Sequence, residues 1–240
     1  MADPARPGRG DGEGGGGGEG GGDAGAGAGA DGSVPLRLQE ASARFGASCW
    51  VERQLFGLIG TWAGAPGLLD EAQVFCFEAS AQHAWHAELW EARLPVLAGV
   101  DRERLARPVG PTAESLLARL APGPGVSGGD DVVAGRRFLV GLARVVLPLL
   151  LVSYRELGQH LTPVSDGPAI RALTLVLRDE EEELATVQAM VDATFSTPEL
   201  AQEASEWDRT LRETALPAQG GLHAGESQGL LPWSEVDAAW

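Results

Sequence analysis

Gln82-His83-Ala84-Trp85-His86-Ala87-Glu88 is the stretch whose reading decides the fold. His83 and His86 stand three residues apart, so on a helix both imidazoles share one face, as a metal or a carboxylate network requires. Around them Leu68, Phe75, Ala79, His86, Trp90 and Leu97 fall on or near that face. The spacing predicts a helix from Leu68 to Leu97, ending before Gly99.

Outward from this helix, the same periodicity recurs. Phe45, Cys49, Phe56 and Ile59 return at three- and four-residue steps and predict a first helix from Pro35 to Trp62, stopped by Gly64, Pro66 and Gly67. Residues 98–131 read as a long Gly- and Pro-rich connection with a short amphipathic helix, Thr112 to Leu120, inside it. A third long helix is expected from Val132 to Leu161, apolar nearly all round in its first half and kinked at Pro148. Ser165 or Asp166 should cap a fourth, from Ala169 to Phe195, with Pro168 in its first turn. Thr197 should start a shorter one from Pro198 to about Thr214, packing through Leu200, Trp207 and Leu211. Two long hairpins joined by a long crossover are one of the known layouts of an all-α four-helix bundle.

The flanks read differently. Residues 1–34 hold 15 glycines and, apart from Val34, no aromatic or β-branched residue, so they are expected to be a disordered head. Residues 215–240 are expected to be a disordered acidic tail, leaving 35–214 as one helical domain. All 18 basic residues are arginine, and the net charge of −16 is spread over head, middle and tail. With no basic part to neutralise a phosphate backbone, nucleic acid is not an expected partner. Phe138 to Val152 is the most apolar run, 15 residues interrupted by Arg144 and Pro148. It reads as too short to span a bilayer, so no membrane partner is expected either. The start of the chain has no charged-then-apolar leader, and a cytoplasmic location follows as the expectation. Cys49 and Cys76 match no zinc or disulfide spacing and read as small buried hydrophobes.

A few polar residues stand where a bundle core would place leucine. Glu52 lies on the first helix's stripe between Cys49 and Phe56, and Glu180 falls between Leu177 and Leu184 with Glu183 one turn on. A carboxylate at such a position is costly unless paired or ligated. His83, His86, Glu52, Glu180 and Glu183 are therefore the candidate metal ligands. The bland alternatives are histidines bonded to Glu52 or to backbone, and Glu180 as one member of the acidic run Asp179 to Glu183. Arg144 could pair with Glu52 or Glu180 and leave a salt bridge in place of a metal. Glu156 reads as a rim residue, and Trp50, Trp62, Trp85 and Trp90 as packing residues. No nucleophile elbow, nucleotide loop or Cys/His pair is present, so no catalytic residue is assigned.

One inward carboxylate or imidazole per long helix, with the runs Trp50-Val51-Glu52-Arg53 and His83-Ala84-Trp85-His86-Ala87-Glu88-Leu89-Trp90, resembles the ferritin-like superfamily and its bacterial members of undefined role. The resemblance covers the middle 160 residues or so. It implies a ferritin-like four-helix bundle with a degenerate di-iron centre, in which two helices each give a Glu and two each give Glu-x-x-His. Glu52 would be the first-helix ligand, and His86 would match the second-helix histidine, with His83 where glutamate is expected. Glu180 would match the fourth-helix glutamate and Glu183 would replace its histidine. Both Glu-x-x-His motifs are altered, one to His-x-x-His and one to Glu-x-x-Glu. Iron or manganese, with oxygen or peroxide chemistry, is what the resemblance implies. A metal-free bundle that binds another protein is the alternative, and a homo-oligomer is compatible with both. A small apolar ligand between the helices is a third option, without a mark of its own in the sequence.

Overall fold

The computed structural model describes residues 38–96, 101–108, 110–122, 129–215 and residue 222. The head 1–34 lies outside these residues. So does the tail, except for Ala215 and Leu222, both buried. Among the described residues there are helices and no strand. In chain order they are α1 (Leu38–Ala63), α2 (Asp70–Glu91), a 3-10 turn (Arg102–Arg104), α3 (Pro111–Leu120), α4 (Gly129–Gly141), a π-helical turn (Leu142–Val146), α5 (Leu147–His160), α6 (Gly167–Thr194) and α7 (Pro198–Ala215).

α1 packs along α2, and α5 packs along α6, while α2 also meets α6. The buried face of α1 runs Phe45, Cys49, Glu52, Leu55, Ile59 and Trp62. It drifts off the expected stripe at one point, where Leu55 turns inward and Phe56 is left 48 % exposed. α2 ends at Glu91, six residues before the expected Leu97. Pro95 has no N–H and disfavours helical backbone at the residue before it. The last carbonyls are taken instead by Arg102, whose guanidinium donates to Glu91 O at 2.7 Å and Leu94 O at 3.1 Å.

The 3-10 turn lies against α1, and Gly46 makes that possible. A Cβ on Gly46 would overlap the Leu105 carbonyl oxygen, which belongs to backbone and cannot step aside. Gly46→Ala is therefore expected to destabilise the fold by about 1–3 kcal/mol through overpacking, read as a lower urea midpoint at unchanged slope.

α4, the π turn and α5 form the central rod. By length and composition Asp131–His160 is the one described helical stretch long and apolar enough to cross a membrane. It is thus longer than the run Phe138 to Val152 suggested. Here most of it is enclosed by protein, with Phe138, Val140, Leu142, Leu147, Leu150 and Tyr154 shut away from solvent. Pro148 cannot donate an amide hydrogen to the Arg144 carbonyl four residues back. The chain widens into the π turn over this step, and Arg212 of α7 donates to the Arg144 carbonyl at 2.9 Å. α3 and α7 close the other side of the rod. Trp62 stacks on Phe138 and donates to the Leu120 carbonyl at 2.8 Å.

Candidate metal centre

α1, α2 and α6 bring one cluster of polar side chains into the interior. Glu52, His83, His86 and Glu180 are each 0 % exposed, and one donor atom from each lies within 4.8 Å of the others. His83 Nδ1 is 2.6 Å from Glu52 Oε2 and 3.4 Å from Glu180 Oε1. His86 Nδ1 is 3.1 Å from Glu180 Oε1 and 3.7 Å from Glu52 Oε2. These four distances form a ring that alternates carboxylate and imidazole. Donors held ~2.0–2.1 Å from a tetrahedral ion stand roughly 3.3 Å apart, which is the mean scale of this ring.

Both imidazoles turn the same way. Nδ1 faces the ring, and Nε2 faces a further carboxylate: Glu183 for His83 at 3.3 Å, and Asp179 for His86 at 3.2 Å. A carboxylate behind a histidine fixes the ring's orientation and raises its basicity toward a metal. Glu183 thus stands on the far side of His83, outside the group of four donors. The acidic run separates accordingly. Asp179, Glu180 and Glu183 look toward the histidines, while Glu181 pairs with Arg155 at 2.8 Å and Glu182 with Arg178 at 3.1 Å on the surface.

The central rod contributes Tyr154, whose hydroxyl donates to Glu52 Oε1. Trp90 stacks on that phenol at 5.5 Å and donates to its oxygen at 3.2 Å. Neither Tyr154 nor Asp179 was among the sequence candidates. Tyr154 had a signal, because it is the single tyrosine of the chain and sits in an apolar helix on the step Leu147, Leu150, Tyr154, Leu157. Arg144 does not form the salt bridge that was the alternative to a metal, since no ion pair joins it to Glu52 or Glu180 among the described residues. The register explains why Tyr154 takes that place. Gly158 abuts Leu173 and Arg155 pairs with Glu181, so Glu180 lies level with Tyr154 rather than with Arg144 to Pro148. The six-residue connection 161–166 is not a tight turn. The Asp166 carboxylate accepts from the Thr162 amide at 2.9 Å inside it, in place of capping α6. Glu156 pairs with Arg44 at 3.2 Å on the rim, as expected.

The electrostatics follow from burial and crowding. Burial would lower the pKa of both histidines, but the charges of Glu183, Glu180 and Glu52 hold His83 well above its ordinary value. Hydrogen bonds from its ring to Glu180 and Glu52 likewise outweigh burial at His86 and raise it to about 10. Burial opposes ionisation of Glu52, yet the His83 charge and the bonds from both imidazoles bring it down to about 2. Glu180 goes the other way, pushed up to about 7 by burial, with the charges of Glu52 and Glu183 adding to it against the pull of His83. Geometry alone agrees about the imidazoles. A neutral ring donates from one nitrogen only, and each of these faces carboxylates with both. Even with both imidazoles charged, four carboxylates leave the cluster with excess negative charge. Glu180 Oε2 is buried with no hydrogen-bond partner among the described residues, and Glu183 Oε2 is met only by His83 Nε2 at 3.3 Å. An orphaned oxygen such as Glu180 Oε2 in an anionic pocket is what a bound cation would satisfy.

Cys49 and Cys76 are buried free thiols, pushed up by burial to about 11 and about 12, and so remain protonated packing residues. No protein-family profile, curated protein or solved structure matches this chain.

Proposed function

We propose that this chain is a ferritin-like bundle protein that holds iron or manganese between its helices. The observation that carries the reading is the ring of two carboxylates and two imidazoles, all shut from solvent and drawn from three helices. Mixed oxygen and imidazole donors suit these metals, with zinc as the competitor. Glu52 Oε2, Glu180 Oε1 and the two Nδ1 atoms would hold the ion. Glu183 and Asp179 orient the imidazoles from behind, and Tyr154 fixes the second oxygen of Glu52. The four donors suit one ion. A two-ion centre, as the resemblance implies, would draw on the second oxygen of Glu180 and on Glu183, which would have to give up its contact with His83. An iron or manganese ion here would supply redox chemistry toward oxygen or a peroxide, and the buried surroundings would keep bulk water from it.

The second reading is a metal-free bundle that serves in protein–protein contact. The short His83–Glu52 contact of 2.6 Å favours it, because a proton already links those groups. Metal content separates the two. Untagged protein expressed with iron and manganese supplements is expected to carry close to one equivalent by elemental analysis, and His83→Ala or His86→Ala to lose it. Less than about a tenth of an equivalent in the parent chain would sink the metal reading, since a functional site is expected to be saturated.

A further inference from the structure

The outer side of the α1–α2 pair carries an apolar face that nothing in the chain's described residues covers. Val74, Phe77, Ala81, Ala84 and Trp85 recur at three- and four-residue steps along α2 and so make one stripe. Phe77 is 70 % exposed, Val74 58 % and Trp85 42 %. Phe56 joins them from α1, where its carbonyl accepts from Ser80 at 2.9 Å and anchors the two helices side by side. Gly60 lies against Ser80, and Gly57 opens onto empty space. The face therefore has both an aromatic ridge and a shallow notch of glycine and alanine. Its charges stand at the ends and margins: Asp70, Glu71 and Glu88 at the ends of the stripe, Glu78 at its edge, and Arg53 of α1 paired with Glu91 at 3.0 Å.

From these features we infer that a second copy of this chain packs on the α1–α2 face to form a two-fold dimer. A two-fold interface must be self-complementary, presenting ridge and receptor on the same patch. Here Phe77 and Trp85 of each copy can enter the notch at Gly57, Gly60 and Ala81 of the other. Size agrees. Three aromatics exposed by 42–70 % plus one valine present on the order of 400 Å² of apolar surface, within the ~300–600 Å² of the largest, often functional, patch on an ordinary monomer. That is a fitting apolar centre for an interface of ~800 Å² per partner with a polar rim. A lipid surface is a poorer match, because membrane-lying helices flank their apolar side with Lys and Arg, and this face is bordered by acids. The inference does not depend on the metal reading.

Sedimentation or light-scattering mass of the full chain at tens of micromolar tests it, on the parent and on two variants. The parent is expected at twice the chain mass. Phe77→Glu should weaken the dimer at least ~100-fold, as loss of a central aromatic anchor does, and give the single-chain mass with an unchanged helical circular dichroism spectrum. Val164→Glu replaces a residue that is 99 % exposed on the α5–α6 connection and should stay dimeric. A parent of single-chain mass overturns the inference, and would leave the face to another segment of this chain or to a different partner. A Phe77→Glu variant that stays dimeric overturns it too, by placing the contact elsewhere. If Phe77→Glu fails to fold, Trp85→Glu takes its place under the same two outcomes.

Discussion

Replacing Glu52 by alanine is expected to lower the unfolding free energy of the metal-free chain by about 3–5 kcal/mol at neutral pH, the cost of breaking a buried ion pair from one side. Glu52 is fully enclosed and takes two bonds at once, from His83 Nδ1 and from the Tyr154 hydroxyl. Its removal takes the short Glu52 acceptor from a charged imidazole and from a phenol where water cannot replace it, leaving His83 with the longer contacts to Glu180 and Glu183. Glu180→Gln should act in the opposite direction above pH 7, because the structure holds Glu180 at about 7 and its ionisation works against folding there. The signs can be worked through group by group. Glu52, lowered to about 2, contributes stability that is complete above its ordinary value of 4.5 and is lost as pH falls toward 2. His86, raised to about 10, contributes stability that is complete below 6.5 and is lost as pH rises through 10. Glu180 costs stability as pH climbs from 4.5 through 7. The metal-free chain should therefore melt highest between about pH 4.5 and 6.5. Denaturant titrations of the parent, Glu52→Ala and Glu180→Gln at pH 5 and pH 8 check this. Equal losses for the two variants at pH 8 would contradict the assigned charge states.

Binding of ferrous or manganous ion is expected to release about two protons at pH 8 and to strengthen roughly 100-fold for each pH unit across pH 7.5–9. Both imidazoles carry protons on the nitrogens that would ligate, since each ring faces carboxylates on both sides. A metal takes only the neutral ring, so each must give up one proton. Below pH 7 the partly protonated Glu180 adds to the count. Titration calorimetry in two buffers of different ionisation enthalpy measures the protons directly. Binding with no proton release would mean that the ion sits outside the ring of Glu52, His83, His86 and Glu180. Asp179→Asn tests the support behind His86, where a loss of ~10–100-fold in affinity with His86 still present is the expected effect of removing such a carboxylate.

The helices were legible in the amino-acid sequence because periodicity and terminators are local properties. The 3.6-residue recurrence of apolar residues, Pro198 behind Thr197 and Pro168 behind Asp166 placed most helix ends within a few residues. The exception is α2, which Pro95 closes at Glu91, short of where its apolar spacing alone would end it. Glu52, His83, His86 and Glu180 were legible for the same reason, since an ionisable residue on an apolar stripe needs an explanation even without coordinates. Only the tertiary structure decided which of them meet and through which atoms. Spacing along a helix cannot say which nitrogen of an imidazole turns inward, so the placement of Glu183 and Asp179 behind the histidines was invisible. Nor could it say which residue of the central rod lies level with Glu180, because that height depends on how the 161–166 connection folds. The choice of Tyr154 over Arg144 was made by packing between elements far apart in the chain, which no local pattern encodes.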